Sequence, residues 1–88
     1  MDAMPTISMF YGILIRMYND EHNPPHLHAF FGEYQASYDF DGNVIDGDFP
    51  KRQHKLVAAW IEIHKDELNA NWKLIEQGEP LFKIEPLR

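Results

Sequence analysis

The chain has 88 residues, with 14 acids against 8 Lys and Arg and a formal net charge of −6. That length supports one hydrophobic core, and 44% apolar residues with 14% aromatics mark a globular chain, not a disordered one. The absence of cysteine excludes disulfides, a thiolate nucleophile and a Cys-based zinc site; the acidic balance makes the chain a poor non-specific binder of nucleic acid, so an RNA or DNA role needs a local basic patch.

The charge is unevenly spread: residues 1–44 carry Arg16 against six acids, and residues 45–88 carry seven bases against eight acids. The longest apolar run, Met9–Ile15, is too short to span a membrane, and no basic flank or small-residue cleavage site surrounds it. The expectation is a soluble, cytoplasmic protein without membrane contact. Met1–Ala3 is read as a tail and residues 4–88 as a single domain.

"SMFYGILIRMY" places Met9, Tyr11, Ile13, Ile15 and Met17 at period 2, with Phe10, Gly12, Leu14, Arg16 and Tyr18 on the other face. Bulk on both faces predicts one largely buried strand. Arg16 interrupts it, and a half-buried Arg needs an acidic partner or a ligand. "NDEHNPP" is a turn, because Pro24 and Pro25 lack the donors that a central strand uses. "HLHAFF" and "YQASYDF" flank Gly32-Glu33, which predicts a type II′ hairpin. In the second arm Tyr34, Ala36, Tyr38 and Phe40 alternate with Gln35, Ser37 and Asp39, the pattern of a half-buried strand. Asp41-Gly42 predicts a type I′ turn, and "NVID" returns as a short fourth strand.

From Pro50 the period changes. Val57, Ile61, His64, Leu68, Trp72 and Ile75 keep one helical face, with Asp48 as N-cap and Gly78 as stop. This predicts one helix of about 26 residues, near 40 Å long; a break at "HKDE", residues 64–67, is the alternative. "LFKIE" after Pro80 is expected as a short edge strand. The predicted fold class is therefore α+β: a four-stranded antiparallel meander, one long helix and a C-terminal strand. A helix this long has apolar surface that can outrun the sheet and pair two copies of the chain.

The candidate chemistry lies in "DEHNPPHLHAFF", residues 20–31. His26 and His28, two apart on a strand, project from one face. With His22 folded over the turn they form a candidate metal set for a divalent ion, Asp20, Glu21 or Asp39 supplying an oxygen. Used as an acid/base pair beside Arg16, the same residues form a kit for phosphodiester cleavage: base, acid, and a cation for the developing charge. The third reading is that the histidines pin the Pro-Pro turn through backbone hydrogen bonds.

A second candidate is "PKRQHK", where Lys51, Arg52 and Lys55 open the helix with no acid between Phe49 and Trp60. Cations there oppose the positive end of the helix dipole, which suits an anionic ligand; the alternative is a solvated charged face. His64, on the apolar stripe, is expected as a satisfied core or interface residue.

"MPTISMFYGILIRMY", "HNPPHLHAFFGEYQA", "PKRQHKLVAAWIEIHKDELNANW" and "KIEPL" together resemble a family of small, mostly bacterial proteins known as domain-of-unknown-function family 4160. The resemblance runs from Met4 to Leu87, and its most specific part is the H-x-P-P-H-x-H block. It draws attention to Arg16, His22, Pro24, Pro25, His26, His28, Lys51, Arg52 and Trp60. Members are often encoded beside family 2442, a pairing that looks like a toxin and its antitoxin. The resemblance thus implies a toxin-like component with a small cognate partner protein, and the phosphodiester-cleavage kit makes RNA its expected target. A non-enzymatic protein-binding module and a metal-binding protein are the alternatives.

Overall fold

The computed structural model describes residues 5–18 and 22–88. They form strands β1 (Thr6–Phe10), β2 (Ile13–Arg16), β3 (His26–Phe31), β4 (Tyr34–Asp39) and β5 (Val44–Asp48), then helices α1 (Lys51–Ile63) and α2 (Lys65–Glu76). The α+β class is as expected. The strands make one antiparallel meander in chain order, with five members, not four.

The extra strand comes from "MFYGILI", which is a hairpin and not one strand. Tyr11 and Gly12 both take positive φ, 49° and 78°, as a type I′ turn requires, and Phe10 lies opposite Ile13. The turn reverses the chain inside an apolar run, where alternation alone gives no sign of it. Met9 and Tyr11, placed by periodicity with Ile13, Ile15 and Met17, are instead 62% and 60% exposed.

Gly32 has φ 57° between the paired residues Phe31 and Tyr34, and the neighbouring Glu33 does not share the positive φ, as in the expected type II′ turn. The Asp41-Gly42 turn differs from its expected type. Only Gly42 is left-handed, its N–H donates to Asp39 C=O at 3.2 Å, and Asp39 N–H donates to Asn43 C=O at 3.0 Å. This is a three-residue loop, a tight turn followed by a left-handed glycine. The Asp39 carboxylate organises it by accepting from Asp41 N–H at 2.9 Å and Asn43 N–H at 3.0 Å.

The core lies between one sheet face and the helices. Ile13, Ile15, Leu27 and Tyr38 point into it from the sheet, and Val57 and Trp60 from α1; each is fully buried. Leu68, Trp72 and Ile75 continue the stripe along α2. The expected N-cap Asp48 belongs to β5; Pro50 stands at the N-cap without a side-chain hydrogen bond.

The long helix is broken at His64, which has φ −110° and ψ 23°. The stripe stays in phase because His64 N–H still donates to Trp60 C=O and Leu68 N–H to His64 C=O. Geometry explains the need for a bend. A straight helix of this length would reach about 38 Å, beyond the molecule's longest extent of 34 Å, and the sheet beneath it is only about 20 Å wide. The bend lets both halves stay on the core, with Val57, Ile61, Leu68, Trp72 and Ile75 buried along the stripe.

The expected C-terminal strand is absent. Residues 79–88 run without regular structure, held by Ile84 N–H to Ile7 C=O at 2.8 Å and by Trp60 Nε1–H to Glu85 C=O at 2.8 Å. Fully buried Asn71 takes the place of a neighbouring strand. Its Nδ2 donates to Phe82 C=O at 2.9 Å and its Oδ1 accepts from Phe82 N–H at 3.1 Å. No helix among the described residues is long and apolar enough to cross a membrane.

Candidate functional site

Because both helices cover one face of the sheet, the other face is open, and the strand registers decide what it presents. One row across the five strands reads Thr6, Arg16, His28, Ser37, Asp46, each opposite the next. The adjacent row reads Met9, Leu14, Phe30, Gln35, Asp48. Alternation puts His26, two residues before His28, on the same side, opposite Asp39. A cleft of about 270 Å³ opens in this surface, bounded by Tyr18, His28, Phe30, Gln35, Ser37 and Asp46.

His28 is at its centre. Its Nδ1 is hydrogen-bonded to Ser37 Oγ at 3.2 Å, and its ring lies 4.3 Å from that of Tyr18 and 5.1 Å, edge-on, from that of His26. His26 Nδ1 is 2.7 Å from Pro24 C=O. A carbonyl only accepts, so His26 Nδ1 carries a proton, and in the neutral ring the basic lone pair belongs to Nε2. The His26 ring also packs against Trp72 at 5.5 Å. Trp72 Nε1–H in turn donates to Asn23 Oδ1 at 3.3 Å, tying the Pro-Pro turn to α2.

Arg16, half-buried beside His28, has no carboxylate partner among the described residues. Its Nε–H donates to Thr6 Oγ1 at 3.3 Å, and its guanidinium carbon lies 5.4 Å from the centre of the Phe30 ring. A hydroxyl and an aromatic face orient the guanidinium without neutralising it.

The other candidate groups are elsewhere. His22 is exposed, and among the described residues no three His, Asp or Glu side chains are placed to hold a metal ion. Asp39 is committed to its turn: burial works to raise its pKa, but hydrogen bonds from Asn43 and Asp41 outweigh that and hold it below the usual carboxylate value. Asp20 and Glu21 lie outside the described residues. Lys51, Arg52 and Lys55 are exposed on α1, whose buried residues face the core. The sheet therefore stands between the basic helix start and the histidines. His64 is half-buried, its Nδ1 2.5 Å from Glu67 Oε1, and Trp60 is core.

Three cleft residues escape a sequence reading focused on the histidines. Tyr18 follows β2 two residues after Arg16, on the face that alternation gives to Arg16, and Ser37 follows from the hairpin: a two-residue turn at Gly32-Glu33 forces Phe31 opposite Tyr34, hence His28 opposite Ser37. Asp46 gives no such signal, because an irregularity between Ser37 and Tyr38 shifts its register.

No curated protein and no solved structure shows significant similarity to the chain. Residues 12–73, which take in β2 through most of α2 and so the whole histidine block, match the family model described as Domain of unknown function (DUF4160), and the chain belongs to that family.

Proposed function

We propose that the chain is the toxin-like member of a two-protein module, and that it cleaves RNA at the open face of its sheet. The observation that carries this reading is the half-buried Arg16, opposite His28 and without a carboxylate among the described residues. A half-buried cation without a carboxylate among the described residues is a site for an anion, and the adjacent imidazoles supply proton transfer.

In this scheme the phosphate seats across the edges of both rings. His26 Nε2 takes the proton of a ribose 2′-hydroxyl, whose oxygen forms a bond to phosphorus as the bond to the 5′-oxygen breaks. Protonated His28 gives its proton to that leaving oxygen, and Arg16 carries the charge that builds on the non-bridging oxygens. The products are a 2′,3′-cyclic phosphate and a 5′-hydroxyl. No step is routed through a metal.

A second reading is favoured by the bond from His26 Nδ1 to Pro24 C=O: the histidines shape a turn that docks a protein partner, without catalysis. Expression in bacteria separates the two. The cleavage reading expects slowed growth, relief by the adjacent small gene, and loss of the effect in His28→Ala with the protein still folded and still binding its partner. Unimpaired growth at high expression without the neighbour, or loss of partner binding in His28→Ala, favours docking.

A further inference from the structure

Resting on the reading of the cleft as an RNA site, we infer that it selects guanine, with Asp46 and Gln35 as the residues that read the base. The open-face row is polar in a directional sense, with its cation, Arg16, on β2 and Asp46 on β5. Between them stand His28 and Ser37. From His28 to Asp46 is two strand spacings, roughly 10 Å, about the reach of one nucleotide from its phosphate to the edge of its base. A phosphate at Arg16 and His28 therefore brings a base toward Asp46.

The fold aims Asp46 at this position. Gly47 has φ 85°, and a Cβ there would lie 2.4 Å from Gln35 C=O and 2.9 Å from Ala36 Cα. Only glycine permits so close an approach of β5 to β4, at a place where the ladder register shifts. Irregularities of this kind re-aim neighbouring side chains. Gln35 is on the same face one strand away, diagonal to Asp46, and both border the cleft.

Their chemistry selects the base. Guanine presents two parallel donors, N1–H and the N2 amino group, beside the O6 acceptor. A carboxylate accepts both donors, and the Gln35 amide donates to O6. Uracil sets a single N3–H between two carbonyl oxygens, which a carboxylate repels. Cytosine and adenine each offer an amino group next to a ring nitrogen acceptor, so one carboxylate oxygen faces a lone pair. Phe30 and Tyr18, at the cleft wall, supply surfaces for stacking.

The test is calorimetric titration of the full chain with guanosine 3′-monophosphate, uridine 3′-monophosphate and inorganic phosphate. The expected order is guanosine at least tenfold tighter than uridine, with phosphate weakest and competing with both. Asp46→Ala, at an exposed position on an edge strand, should bring the two nucleotides within about twofold of each other, and Gln35→Ala should narrow the gap in part. Equal affinities in the unaltered chain, or a guanosine preference that survives Asp46→Ala, overturns the inference while phosphate and uridine binding leave the cleavage site standing. If neither nucleotide nor phosphate binds, the cleavage reading fails and guanine selection fails with it.

Discussion

At the residue scale, several polar side chains are held by single strong partners inside a small core, and these bonds set how the molecule responds to pH. Tyr38 is fully buried; burial pushes its hydroxyl up to about 12, and that oxygen is 2.9 Å from His54 Nδ1. The unfolded phenol ionises near pH 10. Above that point the unfolded chain releases a proton that the folded chain keeps. The contribution is fully present below about pH 10 and falls as pH rises toward about 12, by up to about 1.4 kcal/mol per pH unit. Urea unfolding at pH 9 and 11.5 should therefore show a shallower loss for Tyr38→Phe than for the unaltered chain, from a lower starting stability because His54 loses its partner. Identical slopes would remove Tyr38 as the source. Tyr38 was legible as a core residue from alternation. Its pairing with His54 was not, because that requires knowing which helical turn crosses β4. Asn71 was hidden for a similar reason: a polar residue in the middle of a helix declares no partner until the C-terminal segment has been placed against it.

At the scale of elements, periodicity located β3, β4 and the helical half well, since each has one face in the core and one in water. It failed where a turn lies within an apolar run, at Tyr11-Gly12, and where overall size forces a bend, at His64. The basic helix start is a charge pattern whose cost to the helix can be measured. Lys51, Arg52 and Lys55 oppose the helix dipole, α1 has no acid in its first turn, and Pro50 gives no side-chain cap. Changing all three to Gln should raise stability by roughly 0.3–1 kcal/mol per cation at low salt, read as an upward shift in Tm. A drop in RNA cleavage of tenfold or more in the same variant would show that the helix start belongs to the site after all. The histidine block was visible as a cluster. Its neighbour Arg16 was not assignable by register, because the segment from Met17 to Pro25 between β2 and β3 fixes no pairing by its length alone.

At the scale of the whole molecule, one sheet face is given to the core and the other to an open, polar surface. The chain carries −6 overall, so long-range attraction cannot hold a polyanion, and the proposed RNA cleavage depends on a few short contacts at the cleft. That places the weight of the account on His28 and its surroundings. The most direct measurement is incubation of the purified full chain with a short single-stranded RNA in the presence of a chelator, followed by analysis of the product ends. The expected products are fragments ending in 2′,3′-cyclic phosphate and beginning with 5′-hydroxyl, with a loss of rate of about 10²–10⁴ in a folded His28→Ala variant. Intact RNA with the unaltered chain, or cleavage that His28→Ala leaves unchanged, would contradict the proposed cleavage.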